Sequence, residues 1–334
     1  MKPKDRIIKV LNREQPDRIP TFEWFIDKSV GKTLTGSENP IEIVERLDLD
    51  GINIRADYKK KPIAHDTHKD EWGIIRKDTG DCIAAVMESP IPKIALHKEY
   101  QFPDPFASHR FDTLRQAIEQ FGDYRAIILN LRDGFSDMRD LLGYENALLE
   151  MVMHSAQFKE LLDRVVEYNL ALAKQAVQEF DIKIVATTDD IATNTGMLMS
   201  PDTYYNVIGP AFQRIIRGYR DLGLKVIKHC DGDCSAAIDF WIDAGINCLD
   251  PIDPGANFKM ADFNRRYGYR ICLKGNINCT GALEKGTPED VAAEVKKCLR
   301  DGGKRFILSS SNTIHRGVKP ENYAAMLETL KKYG

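Results

Sequence analysis

The sequence predicts an α/β fold built as a parallel barrel, and three observations predict it. Strand-like and helix-like segments alternate through the second half with short connections. The strand-like runs there end in polar stretches: TTDD, HCDGD, DPIDP, GNIN and SSSN. Parallel barrels gather their chemistry at the carboxyl ends of the strands, so polar strand ends are what such a fold produces. Finally, the competing doubly wound sheet lacks its usual marks: no GxGxxG follows an early strand and no GxxxxGK[ST] loop occurs. The 334 residues read as one domain with an N-terminal excursion.

In chain order, Ile19–Trp24 (IPTFEW) is the expected first strand, and Asp50–Ile54 and Trp72–Arg76 are strand-like. Residues 58–110 carry many Lys, His and Pro, which predicts an excursion of short strands and loops. Ala126–Leu131 (AIILNL) is a strand. Apolar spacing from Asn146 to Phe180 is helical, in two segments divided near Ala156. Ile184–Thr188 is a strand, and Pro201 opens a long helix to Leu222, with Gly223 at its C-terminal stop. Lys225–His229 is the next strand, followed by a helix from Cys234 to Asp243. Asn247–Leu249 is a short strand, Lys259–Tyr267 a helix, and Arg270–Lys274 a strand leading into GNIN. Thr287 caps a helix that Pro288 opens, with Glu289 and Asp290 in its first turn where the helix dipole favours acids. Arg305–Leu308 is the last strand and Pro320–Lys332 the terminal helix.

With 43% hydrophobic and 29% charged residues, the chain can bury a sizeable core. A net charge of −3 points away from nucleic acid and from anionic membranes as partners. The N-terminal MKPKDRIIKVLNREQPDR is too polar for a signal peptide, and no apolar run approaches the roughly 20 residues a bilayer demands. A cytoplasmic protein is expected. Seven cysteines, at 82, 230, 234, 248, 272, 279 and 298, are an odd number without paired CxxC knuckles. Reduced thiols are expected, without disulfides or a structural zinc finger.

The densest chemistry lies in Lys225–Ser235, KVIKHCDGDCS. His229 and Asp231 are two apart, so extended backbone puts them on one side and Cys230 on the other. Imidazole and carboxylate suit a zinc-like ion with one open position, or proton transfer. The plainer alternative is a helix cap and a hydrogen-bonded histidine. Asp189 and Asp190 are adjacent acids after a strand that a barrel would place next to His229; they can tune each other's pKa or cap a helix. Glu23 stands between Phe22 and Trp24, where a lone acid is costly to bury without a partner; function and a salt bridge to Arg18 or Arg55 both fit. Asn276 and Ser310 follow strand ends and suit substrate binding or loop structure. Arg316 suits a substrate carboxylate or plain surface exposure. Phe22 and Trp24 suit core packing or an aromatic pocket wall. No GxSxG surrounds Ser309–Ser311, so nucleophilic hydrolysis is weakly supported.

Taken together, RIIKVLNREQPDRIP, DGFSDMRDLLGYENALLEM, DDIATNTGMLMSPDTYY, KVIKHCDGD, AGINCLDPIDPG, YGYRICLKGNIN and ILSSSNTI…KPENYAAM resemble the uroporphyrinogen decarboxylase superfamily over nearly the whole chain. The resemblance implies a single (β/α)8 barrel over residues 1–334, and a homodimer. Tetrapyrrole decarboxylases of that superfamily carry an arginine-rich segment after the first strand; FEWFIDKSVGKTL has no arginine there. Thiol-methylating members hold zinc with His-x-Cys and a distant Cys. Here His229 matches the histidine, Asp231 stands at the cysteine position, and SSSN replaces the distant cysteine. The remaining branch, similar in its HxDGD and SSSxxI patterns, demethylates small donors such as methoxylated aromatics onto a corrinoid carried by a partner protein. The resemblance thus implies an O-demethylase methyltransferase with His229, Asp231, Asp189, Asp190 and Glu23 as its acids and bases. His229 and Asp231 are the implied zinc ligands. A cofactor-free decarboxylase and a non-catalytic corrinoid- or metal-binding barrel are the alternatives.

Overall fold

The computed structural model describes residues 1–80 and 83–334. Cys82 therefore lies outside the described residues; the other six cysteines are buried free thiols. Among the described residues, no helix is long and apolar enough to cross a membrane.

A seven-stranded sheet forms the centre, its strands adjacent in sequence order: Gly51–Arg55, Ala126–Leu131, Ile184–Thr188, Lys225–His229, Cys248–Asp250, Cys272–Ile277 and Ile307–Ser310. All neighbouring pairs run parallel. One stretch bonds to both edges: Asp50 N donates to Thr21 O (2.8 Å) and Leu308 N to Pro20 O (3.0 Å). That stretch is the expected first strand, and the expectation needs correction. It makes only isolated bridges, Thr21 with Leu308 and Ile26 with Ile314. Side chains take the ladder positions instead: the Ser310 N–H donates to the Glu23 carboxylate, and the Trp24 carbonyl accepts from Asn53 Nδ2. Pro20 has no N–H to offer. Among the described residues, the central sheet therefore has seven regular strands, against the eight expected.

Alternation along the strands separates two cores. Ala126, Ile128, Ile184, Ala186, Ile227, Cys248, Cys272 and Ile307 pack inside the sheet's curve with Phe22 and Trp24. Their neighbours, such as Leu129, Val185, Val226, Leu249, Leu273 and Leu308, pack outward against the helices. The inner residues on Cys248 and Cys272 are small, which leaves room above them for functional side chains.

The excursion is a four-stranded antiparallel sheet: Lys60–Ala64, Thr67–Asp70, Ile75–Lys77 and Ala85–Glu88. The strand expected at Trp72 starts only at Ile75. Arg76 ties this sheet to the barrel by an ion pair with Asp140 (2.8 Å), and Trp72 packs edge-on to Tyr168.

Three further boundaries differ from expectation. The helix from Pro201 is interrupted by a wider turn at Tyr204–Ile208 before Gly209–Asp221. Pro210 cannot donate to the carbonyl four residues back, which favours this widening. The helix expected from Cys234 starts at Ile238. Gly232, at φ 82° with a Cβ position 2.6 Å from Thr193 O, and the Asp233–Ser235 side-chain turn hold 232–237 out of helix. The strand before GNIN continues to Ile277, pairing Asn276 with Ser309 and Ile277 with Ser310.

Candidate active site at the strand carboxyl ends

His229, Asp250 and Lys274 sit on three neighbouring strands and share the inner face. All three are buried. His229 Nδ1 lies 2.7 Å from Asp250 Oδ2, and Lys274 Nζ donates to Asp250 Oδ1 at 2.8 Å. The Trp24 ring stacks on His229, centroids 4.3 Å apart and planes 16° from parallel. Lys274 Nζ lies 4.9 Å from the Phe22 ring centroid. The imidazole is therefore fixed from below by a carboxylate and from the side by an indole.

With Nδ1 committed, Nε2 faces two carboxylates: Asp231 Oδ1 at 3.5 Å and Asp190 Oδ1 at 4.0 Å. The Asp231 N–H donates to Asp190 Oδ1 (3.2 Å), and Asn312 Nδ2 donates to Asp231 Oδ2. Asp231 Oδ1 is buried without a hydrogen-bond partner. Burial pushes the Asp231 carboxyl up to about 7, against the pull of His229 and with help from the charges of Asp190, Asp253 and Asp250. Burial opposes the charged form of His229, but Asp231 and the Asp250 hydrogen bond outweigh it and raise its pKa above the ordinary value. Asp250 shows the reverse balance: burial raises it, while Lys274 and His229 pull it below the ordinary carboxylate value. Both raised groups, Nε2 of His229 and the Asp231 carboxyl, thus face each other at 3.5 Å above Asp250, whose carboxyl is held below its ordinary value.

The same three groups fit a divalent ion. Ligand atoms of Asp190, His229 and Asp231 all lie within 4.8 Å of one another. Tetrahedral bonds of about 2.0–2.1 Å put ligand atoms about 3.3 Å apart, close to the spacing of Nε2 and Asp231 Oδ1. A carboxylate on the far ring nitrogen is the usual support for a metal-bound histidine, and the unpartnered Asp231 oxygen is an open ligand position.

The structure does not bring every candidate to this cluster. Asp190 joins it, but Asp189 turns away and accepts from the backbone N–H groups of Phe135 and Ser136, at the start of helix Phe135–Leu142. There it lies with Asp133 and Lys228 in the wall behind the sheet; Lys228 Nζ is 2.8 Å from Asp133. Burial and the Asp133 charge push Asp189 well up. Glu23 and Ser310 face each other: Ser310 Oγ donates to Glu23 at 2.6 Å. Neither Arg18 nor Arg55 pairs with Glu23; Arg18 bonds Asp50 and Arg55 lies over the Phe25 ring. Asn276 is half-buried on the strand face that carries Lys274. Arg316 is exposed, beside Gly80 of the excursion. The residues overlooked from sequence are Asp250, Lys274 and Asn312. The first two had a signal: each follows an inward cysteine by two positions.

Glu23 supplies a pH test of this packing. Burial pushes its carboxyl from 4.5 to about 7, despite the nearby Lys274 charge and the Ser310 hydrogen bonds. The folded protein therefore holds this proton more tightly than the unfolded chain does. Its stabilising effect is complete below pH 4.5 and is lost as pH rises through 7, by roughly 3 kcal/mol. Urea unfolding at pH 5 and pH 8 should show this loss in the native chain and not in Glu23→Gln. Equal slopes in both would contradict the assignment.

A parallel α/β barrel with an imidazole and carboxylates gathered at its strand carboxyl ends defines the class of this protein: an enzyme-like barrel with its ionisable side chains clustered at the mouth. The chain belongs to the uroporphyrinogen decarboxylase (URO-D) family, which residues 76–333 match. It is 28% identical over 173 residues to the methylcobamide:CoM methyltransferase MtbA of Methanosarcina mazei, a match covering 52% of this chain and 48% of that protein. The MtbA of Methanosarcina acetivorans matches with the same identity and coverage. The matched stretch thus spans about half the length of these curated relatives. A solved methyltransferase from Methanosarcina mazei superposes with a TM-score of 0.80, covering 100% of this chain and 99% of its own, at 18% identity. That likeness is one of fold.

Proposed function

We propose that this protein is a methyltransferase that moves a methyl group from a small methylated donor, a methoxylated aromatic, to a corrinoid carried by a partner protein. The observation that carries this reading is the open set of Nε2 of His229 and the Asp231 and Asp190 oxygens over the buried Asp250–Lys274 pair. The relatives named as methylcobamide:CoM methyltransferases support methyl transfer with a cobamide. The aspartate at 231 favours an oxygen-bearing donor over a thiol, because a ligand set without thiolate is harder.

An aryl methyl ether releases its methyl group only when its oxygen is protonated or held by a Lewis acid. A zinc-class ion, when bound by His229, Asp231 and Asp190, supplies that Lewis acidity. The reduced corrinoid is the second substrate and supplies the nucleophile. The chain's own residues set the geometry. Asp250 fixes the tautomer and tilt of His229, Lys274 keeps Asp250 ionised, and Asn312 holds one Asp231 oxygen so that the other faces the opening. In place of the ion, a proton carried by His229 Nε2 or Asp231 would pass to the phenolate oxygen as the methyl group leaves.

Incubation of the pure protein with a reduced corrinoid protein and 3-methoxybenzoate should yield 3-hydroxybenzoate, measured by chromatography. Carbon dioxide release instead of demethylation would favour the decarboxylase alternative and sink this reading. Elemental analysis should find about one zinc-class ion per chain and less than about a tenth of that in the Asp190→Asn/Asp231→Asn variant. Equal metal content in both would remove these residues from the ligand set.

A further inference from the structure

A second group of unpartnered polar atoms lines a cavity of about 370 Å³ between the antiparallel excursion and the ends of the first two barrel strands. The volume is within the range of small-ligand pockets. Arg55 and Asn130 line it as register partners on those adjacent parallel strands. Among the described residues, the Arg55 guanidinium has no hydrogen bond or ion pair and lies over the Phe25 ring at 4.6 Å. The other two arginines of the cavity are satisfied. Arg76 pairs with Asp70 and Asp140, and Arg132 with Asp137 and Asp140. Those three acids are thereby engaged, Asp137 also by Asn169. The remaining buried polar atoms, Asn130 Nδ2 and His68 Nε2, have no partner. Native proteins rarely leave buried polar groups unpaired, and here a free guanidinium and a free amide adjoin one space. Trp72 and Tyr58 give that space aromatic walls.

We infer that this cavity binds a small aromatic carboxylate, the carboxylate held by Arg55 and Asn130 and the ring packed beside Trp72 and Tyr58. A guanidinium fork and an amide N–H together match the two oxygens of a carboxylate. Phe25 connects this pocket to the reactive mouth: it lies edge-on to Trp24, which stacks on His229. That the bound carboxylate is also the methyl donor rests on the function proposed above; the anion site itself does not.

Calorimetric titration with 3-methoxybenzoate and with neutral 3-methoxybenzamide tests the site. The acid should bind at least about 10-fold more tightly than the amide to the native protein, and Arg55→Met should bind the two alike. Melting curves check that this variant folds; if it does not, the acid-to-amide ratio in the native protein decides alone. Equal binding of acid and amide by the native protein, binding of neither, or a preference that survives in a folded Arg55→Met would each overturn the site. 3-Hydroxybenzoate, which has no methyl group to give, should show the same Arg55 dependence. Anion selectivity with no demethylation would therefore sink the proposed reaction and leave the site standing. Demethylation without anion selectivity would do the reverse.

Discussion

His229→Ala is expected to abolish demethylation while the barrel stays folded. The ring contributes Nε2, the atom that both candidate mechanisms need, and it lies 3.5 Å from Asp231 Oδ1. Loss of a positioned acid–base group alone lowers rates by about 10²–10⁴-fold. Loss of a metal ligand at the same stroke should take turnover below detection. The fold should survive because Asp250 keeps its Lys274 partner at 2.8 Å, so no buried charge is orphaned. Initial rates of phenol release, beside melting curves of the same preparation, check both halves. A variant that demethylates at the native rate would remove His229 from the mechanism.

Lys274→Met should produce the largest stability loss of any single change in the site. Asp250 and Lys274 are both about 1% exposed at their side chains and pair directly. Removing the lysine leaves an ionised carboxylate in the barrel interior with only His229 to answer it. Breaking a buried pair in this way costs about 3–5 kcal/mol. At about 2.1 cal/mol/K per residue over 334 residues, this is a fall in Tm of about 4–7 °C. Adding Asp250→Asn to Lys274→Met should restore most of that loss, because the uncompensated charge is gone. The double variant should still be catalytically impaired, since His229 has lost its anionic partner. A single variant that melts within about 1 °C of the native protein would mean that the pair carries little of the site's stability.

Much of the barrel was legible because strand, polar end and helix recur with local signals. Thr287 marks one helix start outright, and its cap bond is present; the structure adds a return bond from the Thr287 N–H to Asp290. Gly223 and Pro201 mark a helix stop and a helix start for reasons confined to their own backbone. What was not legible depended on partners distant in sequence. Nothing within IPTFEW shows that the Glu23 carboxylate will replace a backbone acceptor for Ser310, 287 positions later. Asp189 and Asp190 are chemically identical neighbours, yet strand alternation sends one to a helix N-terminus behind the wall and the other to the mouth. The same alternation would have found Asp250 and Lys274, had the inward face of CLD and CLK been read from their small cysteines. Arg55 and Asn130 could not be paired from sequence, because strand register appears only once the sheet forms.

The central claim is that the His229 mouth releases a methyl group from an oxygen to a corrinoid. Its most direct measurement is a single-turnover visible spectrum: native protein mixed with an excess of reduced corrinoid partner and a limiting amount of 3-methoxybenzoate. The account predicts loss of the cobalt(I) absorption in proportion to the donor added, matched by 3-hydroxybenzoate and absent with His229→Ala. A cobalt(I) spectrum that stays unchanged with the native protein, donor and metal all present would contradict it.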